Sequence, residues 1–150
     1  MKTERLLQLL NEHKVRFVII GATAFPVHGY SRATLDIDLF IKSTRMNAER
    51  TREALREFGY DMTDVTIEDL LTKKLLIRQY WVETDIHPFV KGVSFRDIWK
   101  NKVLADYVGE PAWFASLKDL IKMKKAAGRP KDKEDLKYLL RLQKGRARRP

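Results

Sequence analysis

Asp36 and Asp38 are two carboxylates separated by one apolar residue and followed by the apolar run 39–41. The side-chain period of an extended strand is two, so both carboxylates would point to the same face. Two adjacent carboxylates repel each other and are costly to desolvate unless a positive charge lies between them. Mg²⁺, which prefers oxygen ligands, is the natural partner. The alternative is a solvated strand end, which this spacing alone does not exclude.

The segment before this pair has the features of a phosphate site. Residues 15–20 are β-branched and aromatic, which predicts a buried strand ending at Gly21. A helix is predicted from just after Gly21 to about Tyr30, and its N-terminus would present free N–H groups and a positive dipole end. Gly21 has no Cβ, so the backbone can approach a ligand. If the two strands are neighbours, one pocket offers both features that a metal-bound nucleoside triphosphate needs.

Asp85 is the best candidate for a third carboxylate. It lies in a predicted strand with Glu83 and His87 as alternate neighbours, which share its face if the strand is regular. A third carboxylate would complete a two-metal site, in which one metal activates an attacking hydroxyl and the other holds a triphosphate. Pro88 follows His87 directly, so His87 has either a structural role at the strand end or a supporting role beside the metal.

The loop and the C-terminal region supply further candidates for nucleotide binding. Arg32 precedes Asp36 by four residues and would reach a phosphate, and Thr34 would add a hydroxyl contact. The alternatives are a surface arginine and a turn residue. Lys124 and Arg129 lie beside a predicted helix break and would hold the triphosphate or a nucleic-acid acceptor, and the alternative is that they are simply solvated. Acidic residues 132 and 135 are expected to cap the last helix and to pair with nearby Lys or Arg.

The whole pattern predicts one α/β domain with a mixed sheet. Helices are predicted near residues 3–13, 47–58, 66–74, 94–99, 116–127 and 131–143, and strands near 15–20, 36–41, 75–82, 84–90, 102–107 and 111–114. Residues 75–82 and 84–90 are expected to pair as a hairpin, and Trp81, Trp99 and Trp113 to lie in the core. Strands and helices alternate early in the chain, which favours α/β packing.

The composition indicates a globular chain, since 44% hydrophobic and 33% charged residues are values of folded domains. The absence of cysteine excludes disulfides and thiolate metal sites. No apolar signal core and no apolar run of roughly 20 residues is present, so we expect a soluble, cytoplasmic protein with no membrane contact. The domain is expected to span residues 1–144, followed by a basic flexible tail at 145–150.

The formal charge of +10 is concentrated at the C-terminal end. Residues 117–150 hold 13 Lys and Arg against 4 Asp and Glu, a net of +9, whereas residues 1–116 have a net of +1. Lys and Arg placed on phosphates release counterions, so this segment suits a polyanionic partner. The alternative is a solvated helix face with a frayed basic tail.

These motifs resemble the polymerase-β-type nucleotidyltransferase superfamily, and within it the small prokaryotic AbiEii-like and minimal nucleotidyltransferase members. The resemblance rests on Gly21-Ala22, thirteen intervening residues, Asp36-Ile37-Asp38 and the later strand residue Asp85. It extends to Ala24, His28-Gly29, Arg32, Thr34 and the run 128–136, and covers roughly residues 15–140. The sequence departs from the superfamily at Ala22, where Ser or a second Gly is usual.

The resemblance implies a mixed twisted sheet of the nucleotidyltransferase type, flanked by helices and ending in a basic helical portion. It implies transfer of a nucleoside monophosphate from an NTP to a hydroxyl, with Mg²⁺ or Mn²⁺ held by Asp36, Asp38 and Asp85. Asp85 would also be a base, and Gly21 and Ala22 would contact the triphosphate through the backbone.

The basic C-terminal segment makes RNA, tRNA in particular, the expected acceptor, and the resemblance implies a protein hydroxyl as the other option. The AbiEii-like likeness suggests a toxin–antitoxin setting with a cognate antitoxin-like partner. The alternative is a catalytically silent module that kept the fold and binds nucleic acid or a partner protein, a reading that Ala22 favours.

Overall fold

A six-stranded mixed sheet flanked by helices organises the chain in the computed structural model, which describes residues 2–79 and 82–148. The helices are α1 (Thr3–Glu12), α2 (Arg45–Phe58), α3 (Ile67–Thr72), α4 (Phe95–Asn101), α5 (Leu117–Ala127) and α6 (Pro130–Ala147). The strands are β1 (Phe17–Ile20), β2 (Asp36–Ile41), β3 (Leu75–Ile77), β4 (Glu83–His87), β5 (Val103–Tyr107) and β6 (Glu110–Phe114). A 3₁₀ helix spans Gly21–His28. The predicted α/β class and mixed sheet are confirmed.

The strand order is β3-β4-β2-β1-β6-β5. β1 pairs antiparallel with β2 and parallel with β6, and β2 pairs parallel with β4. The outer pairs β3–β4 and β5–β6 are antiparallel, so the expected hairpin of β3 and β4 forms, with shorter strands than predicted. The three neighbouring strands β1, β2 and β4 therefore bring Gly21, Asp38 and Asp85 to one region of the sheet.

The buried residues of β2 alternate with its carboxylates. Ile37, Leu39 and Ile41 are almost fully buried, and burial of such side chains contributes about 1.5–3 kcal/mol each to the free energy of unfolding. Phe40 lies on the carboxylate face and is also buried, because Phe95 of α4 packs edge-on against its ring at 5.3 Å between centroids. Apolar packing therefore fixes the strand on both sides of Asp38.

The helix predicted after Gly21 is present as a 3₁₀ helix that ends at Gly29 in the left-handed conformation, with φ 101°. Pro26 lies within it and has no N–H to donate, which disfavours a regular α-helix here. His28 is buried, and its Nε2 donates to the carbonyl of Ala115 at 2.8 Å. Burial lowers the pKa of His28, so the ring is neutral and its Nδ1 accepts from Arg146 at 2.9 Å.

The last helix is longer than predicted. α6 continues to Ala147, so residues 145–147 are helical where a flexible tail was expected. Gly145 lies inside α6, and a glycine inside a helix costs about 1 kcal/mol of stability relative to alanine. The contact of Arg146 with His28 offsets part of this cost and helps to hold the last turn in place. Residues 149–150, the end of the expected tail, lie outside the described residues.

Trp99 and Trp113 pack against the core but stay partly exposed, with ring centroids 6.4 Å apart. The Lys102 Nζ lies 4.0 Å from the centroid of the Trp99 ring and 4.4 Å from that of the Trp113 ring. This is a cation–π arrangement, in which the two rings face a charged side chain and not only the core. Trp81, also predicted to be in the core, lies outside the described residues. Among residues 2–79 and 82–148, no helix is both long and apolar enough to cross a bilayer.

Candidate active site

The carboxylates predicted from the sequence lie side by side on two strands. Asp38 of β2 is directly opposite Asp85 of β4, and Asp36 is opposite Glu83. The period of two puts all four on the same face of the sheet. Asp85 is buried, whereas Asp36 and Asp38 are half-buried. Four carboxylates on adjacent strands form a strongly negative cluster, which requires cations to be stable.

His87 adds a nitrogen to this cluster. Its Nε2 lies 2.9 Å from Asp38 Oδ1, and one ligand atom each from Asp38, Asp85 and His87 all lie within 4.8 Å of one another. These three groups are close enough to bind one cation. Alternation along β4 already placed His87 on the face of Asp85, but the pairing with Asp38 depends on the register between β2 and β4.

Gly21 lies against Asp38 because β1 ends beside it, with Ile20 opposite Asp38 in the sheet. Gly21 has φ 71°, and a Cβ at this position would be 2.6 Å from Asp38 Oδ2. Both the backbone conformation and the close approach therefore require glycine. Ala22 follows as a buried residue at the beginning of the 3₁₀ helix.

We expect Gly21→Ala to lower the free energy of unfolding by about 1–3 kcal/mol, because the methyl group adds a clash to a strained left-handed conformation. Chemical denaturation measures the loss. Gly109→Ala is the matched control, since Gly109 has φ 88° and open space where its Cβ would be. Equal losses in the two variants would contradict a contribution from the contact with Asp38.

A wall of cations faces the carboxylate cluster and is held by two buried aspartates. Lys124 Nζ lies 3.0 Å from Asp132 Oδ1 and 3.1 Å from Asp135 Oδ2. Arg32 binds Asp135 through two hydrogen bonds of 2.8 Å and 2.9 Å. Arg129 Nε donates to Asp132 at 2.7 Å. The three cations predicted to hold phosphate are therefore positioned by residues of α6.

Both aspartates are ionised because of these contacts. Burial alone would raise the pKa of Asp132, but hydrogen bonds from Arg129 and Lys124 outweigh it and hold the pKa well below the ordinary range. The pKa of Asp135 is likewise lowered, because hydrogen bonds from Arg32 and Lys124 outweigh its burial. The expected pairing with cations is observed for both residues. The expected capping is observed for Asp132 alone, whose Oδ2 accepts from the backbone N–H of Arg129 at 3.0 Å, whereas Asp135 contacts Tyr30, Arg32 and Lys124.

Arg78, a residue that the sequence pattern did not indicate, contacts the carboxylate cluster directly. Its guanidinium donates to Asp85 Oδ1 at 2.6 Å and lies 3.8 Å from both Asp36 Oδ2 and Glu83 Oε2. The hydrogen bond to Asp85 raises the pKa of Arg78. The signal for this contact is the hairpin register, which places Ile77 opposite Thr84 and so brings Arg78 next to Glu83.

Carboxylates and cations border one open cleft of about 480 Å³. All nine residues singled out from the sequence line it: Gly21, Ala22, Arg32, Thr34, Asp36, Asp38, Asp85, Lys124 and Arg129. Thr34 also has the turn contact that was its alternative, since its hydroxyl donates to the carbonyl of Asp36 at 3.2 Å. The cleft combines a negative side that attracts cations with a positive side that attracts anions.

The sheet order, the flanking helices and the paired carboxylates define a protein of the nucleotidyltransferase class. The fold is similar to that of the "putative nucleotidyltransferase (TM1012)" from Thermotoga maritima, a crystal structure with a TM-score of 0.59. The similarity covers 91% of this chain and 89% of that chain at 17% sequence identity. At this identity the match shows a shared fold and nothing more.

The chain belongs to the family described as "Nucleotidyltransferase of unknown function (DUF6036)", whose profile matches residues 2–140. None of the curated proteins matches the chain. The superfamily predicted from the Gly21 and Asp36–Asp38 motifs is confirmed, and the AbiEii-like subtype stays a prediction.

Proposed function

We propose that the protein is a metal-dependent nucleotidyltransferase that moves a nucleoside monophosphate from an NTP to a hydroxyl of a macromolecular acceptor. The observation that carries this proposal is the cleft in which Asp36, Asp38 and Asp85 face a wall of three cations. Carboxylates that bind divalent cations and basic groups that bind phosphates are the two requirements for a metal-bound triphosphate.

The donor set fits a divalent cation. Asp38 and Asp85 would provide the oxygen ligands that Mg²⁺ and Mn²⁺ prefer, and His87 adds a nitrogen that Mn²⁺ accepts more readily than Mg²⁺. Asp36 is not part of this close group, but it lies on the same face of β2 and would add a further oxygen ligand. When bound, the metal ions would activate the acceptor hydroxyl and offset the charge of the triphosphate. The absence of a Cβ at Gly21 lets the Asp38 carboxylate lie directly against the backbone at the end of β1.

The chain's own residues would position the substrates. Arg32, Lys124 and Arg129 would orient the phosphates, because each has donors in the cleft and is held by a buried aspartate. The acceptor oxygen would attack the α-phosphorus, the bond to the oxygen that bridges the α- and β-phosphorus would break, and pyrophosphate would leave. Asp85 would accept the hydroxyl proton.

The basic C-terminal helix supports a macromolecular acceptor. Lys133, Lys137, Arg141 and Lys144 of α6 are exposed, and such side chains contact nucleic-acid phosphates favourably. RNA, tRNA in particular, is therefore the acceptor we propose first, and a protein hydroxyl is the second. A toxin–antitoxin setting with an antitoxin-like partner is proposed from the AbiEii-like likeness alone.

The second candidate function is a catalytically silent module that binds nucleic acid or a partner protein, and Ala22 is the residue that favours it. We expect Ala22→Ser to tighten NTP binding about fivefold to tenfold, because a hydroxyl would donate to a charged phosphate. Calorimetry with Mn²⁺ and each NTP measures the affinity. Ala33→Ser, a change at another alanine of the cleft, is the control and should leave the affinity unchanged. A silent module is favoured if neither the wild-type protein nor Ala22→Ser binds any NTP.

The transferase proposal is tested by incubating the protein with each α-labelled NTP, Mg²⁺ or Mn²⁺, and either total tRNA or cell lysate. We expect the wild-type protein to label a macromolecule and Asp36→Ala to label nothing. Nuclease and protease digestion of the product then distinguish an RNA acceptor from a protein acceptor. The absence of both NTP affinity and metal-dependent stabilisation would overturn the proposal.

A further inference from the structure

Arg78 interacts with the same carboxylates that the proposed function assigns to metal binding. Its guanidinium lies 2.6 Å from Asp85 and 3.8 Å from Asp36, and Glu83 is also 3.8 Å away. A guanidinium 2.6 Å from Asp85 Oδ1 occupies one oxygen of this carboxylate and puts a positive charge where a metal ion would bind, so the two cations repel each other. Arg78 and a divalent cation therefore compete for Asp85.

Arg78 and a metal ion compete because both are positive charges that bind the same carboxylates. An arginine side chain does not lose its proton at physiological pH, so Arg78 always contributes one positive charge to the cluster. The cluster holds Asp36, Asp38, Glu83 and Asp85, whose mutual repulsion would otherwise destabilise the two strands. Arg78 offsets part of this repulsion in the metal-free protein, in the way that a bound cation would.

The arginine can also leave the cluster. Its side chain is 43% exposed, and Arg78 lies just after the end of β3 rather than within a strand. The 3.8 Å pairs with Asp36 and Glu83 are exposed and individually weak. Asp85 itself is buried, but the Arg78 end of that pair is open to solvent, so another anion can reach the guanidinium. The planar fork of arginine matches phosphate geometry as well as it matches carboxylate geometry.

We propose that Arg78 occupies the carboxylate cluster of the metal-free protein and is displaced by metal and triphosphate together, moving from Asp85 to the phosphates. The inference rests on the proposed function. A metal ion alone must displace Arg78 without providing it with a new partner. The apparent affinity of the cluster for the metal ion is therefore reduced to the extent that Arg78 occupies the cluster, because only the fraction of molecules with an open cluster can bind the ion. A metal–triphosphate complex brings the ion and the new partner for Arg78 at once, so metal and nucleotide bind cooperatively.

Titration of the full-length protein with Mn²⁺, followed by electron paramagnetic resonance, tests this competition without any transfer reaction. We expect Arg78→Gln to bind Mn²⁺ alone about tenfold more tightly than the wild-type protein, because the competing charged hydrogen bond is gone. Inorganic tripolyphosphate should tighten Mn²⁺ binding more in the wild-type protein than in Arg78→Gln. Arg78→Lys, which keeps the charge but lacks the fork, should lie between the two.

Lys74→Gln is the matched control for a general charge effect. Lys74 lines the same cleft, is exposed, and has no ion pair with a carboxylate among the described residues. We expect this variant to change Mn²⁺ affinity less than about threefold, the size of a screened surface charge effect. An equal gain in Mn²⁺ affinity in Lys74→Gln and Arg78→Gln would contradict the proposal that Arg78 competes with the metal ion for Asp85.

The outcomes separate the inference from the function on which it rests. If the wild-type protein binds Mn²⁺ and Arg78→Gln binds it with the same or a lower affinity, the role of Arg78 is wrong and the metal site stands. If neither protein binds Mn²⁺, with or without tripolyphosphate, the metal-dependent function and the inference are both wrong.

Discussion

Asp38→Asn should lower the rate of nucleotidyl transfer on the order of 10³-fold, because a metal ligand that stabilises transition-state charge contributes several kcal/mol. Asp38 lies at the centre of the cluster, opposite Asp85, beside Gly21 and 2.9 Å from His87 Nε2. The amide has the shape of the carboxylate but not its charge. Single-turnover transfer from an α-labelled NTP measures the effect.

The same variant should fold at least as well as the wild-type protein. Asn removes a negative charge next to Asp85, and its side-chain oxygen can still accept the hydrogen bond from His87. Thermal unfolding without metal checks this expectation. Asp64→Asn, at an exposed position outside the cleft, is the matched control and should retain full activity. Transfer by Asp38→Asn above about a tenth of the wild-type rate would contradict a metal-binding role.

Asp135→Asn should lower the free energy of unfolding by about 3 kcal/mol, since removal of one partner of a buried ion pair leaves the other charges unpaired. Asp135 is 2% exposed and accepts hydrogen bonds from the Tyr30 hydroxyl, from two nitrogens of Arg32 and from Lys124, the last at 3.1 Å. The amide cannot neutralise Arg32 and Lys124. Urea denaturation at neutral pH measures the loss.

Asp97→Asn is the matched control for this substitution. Asp97 is exposed in the first turn of α4, where a carboxylate contributes only about 0.3–1 kcal/mol through the helix dipole. A loss in Asp135→Asn no larger than the loss in Asp97→Asn would contradict the role of Asp135 as the buried counter-ion of the cation wall. NTP affinity should also fall in Asp135→Asn, because Arg32 and Lys124 lose their fixed positions.

The lowered pKa values of Asp132 and Asp135 predict a specific acid sensitivity. A carboxyl group whose pKa is lower in the folded state contributes stability above its unfolded pKa, about 4, and loses it as the pH falls towards the folded pKa. We therefore expect wild-type stability to fall steeply below about pH 4. Asp135→Asn should show a shallower fall, measured by urea denaturation between pH 2 and 7. Equal slopes in the two proteins would contradict this assignment.

The carboxylates and Gly21 are the part of the site that could be predicted from the sequence, because short-range patterns mark them. The period of two placed Asp36 and Asp38 on one face. Gly21 was predicted to let the backbone approach a ligand, and the close contact that the structure has at Gly21 is with Asp38. Asp85 was identified as the third carboxylate because its strand also alternates. The spacing within each strand depends on residues two positions apart, where backbone geometry decides the arrangement, whereas the pairing of Asp38 with Asp85 depends on the register of β2 and β4.

The rest of the site depends on side-chain contacts that helix packing and strand register create and that no local pattern records. Arg32 and Asp135 are 103 positions apart, and only the packing of α6 beside the 3₁₀ helix brings them together. Arg78 reaches Asp85 because of the β3–β4 register. The end of α6 was predicted too early for the same reason, since Gly145 weakens a helix locally while Arg146 contacts His28 across 118 positions.

Transfer of a nucleoside monophosphate at the Asp36–Asp38–Asp85 cluster has a distinctive labelling pattern. Parallel reactions with α-labelled and γ-labelled NTP, Mn²⁺ and the acceptor pool test it most directly. We expect that the α-label enters a macromolecule and that the γ-label is released as pyrophosphate, in the wild-type protein and not in Asp38→Asn. Incorporation of the γ-label, or equal α-label incorporation by Asp38→Asn, would contradict it.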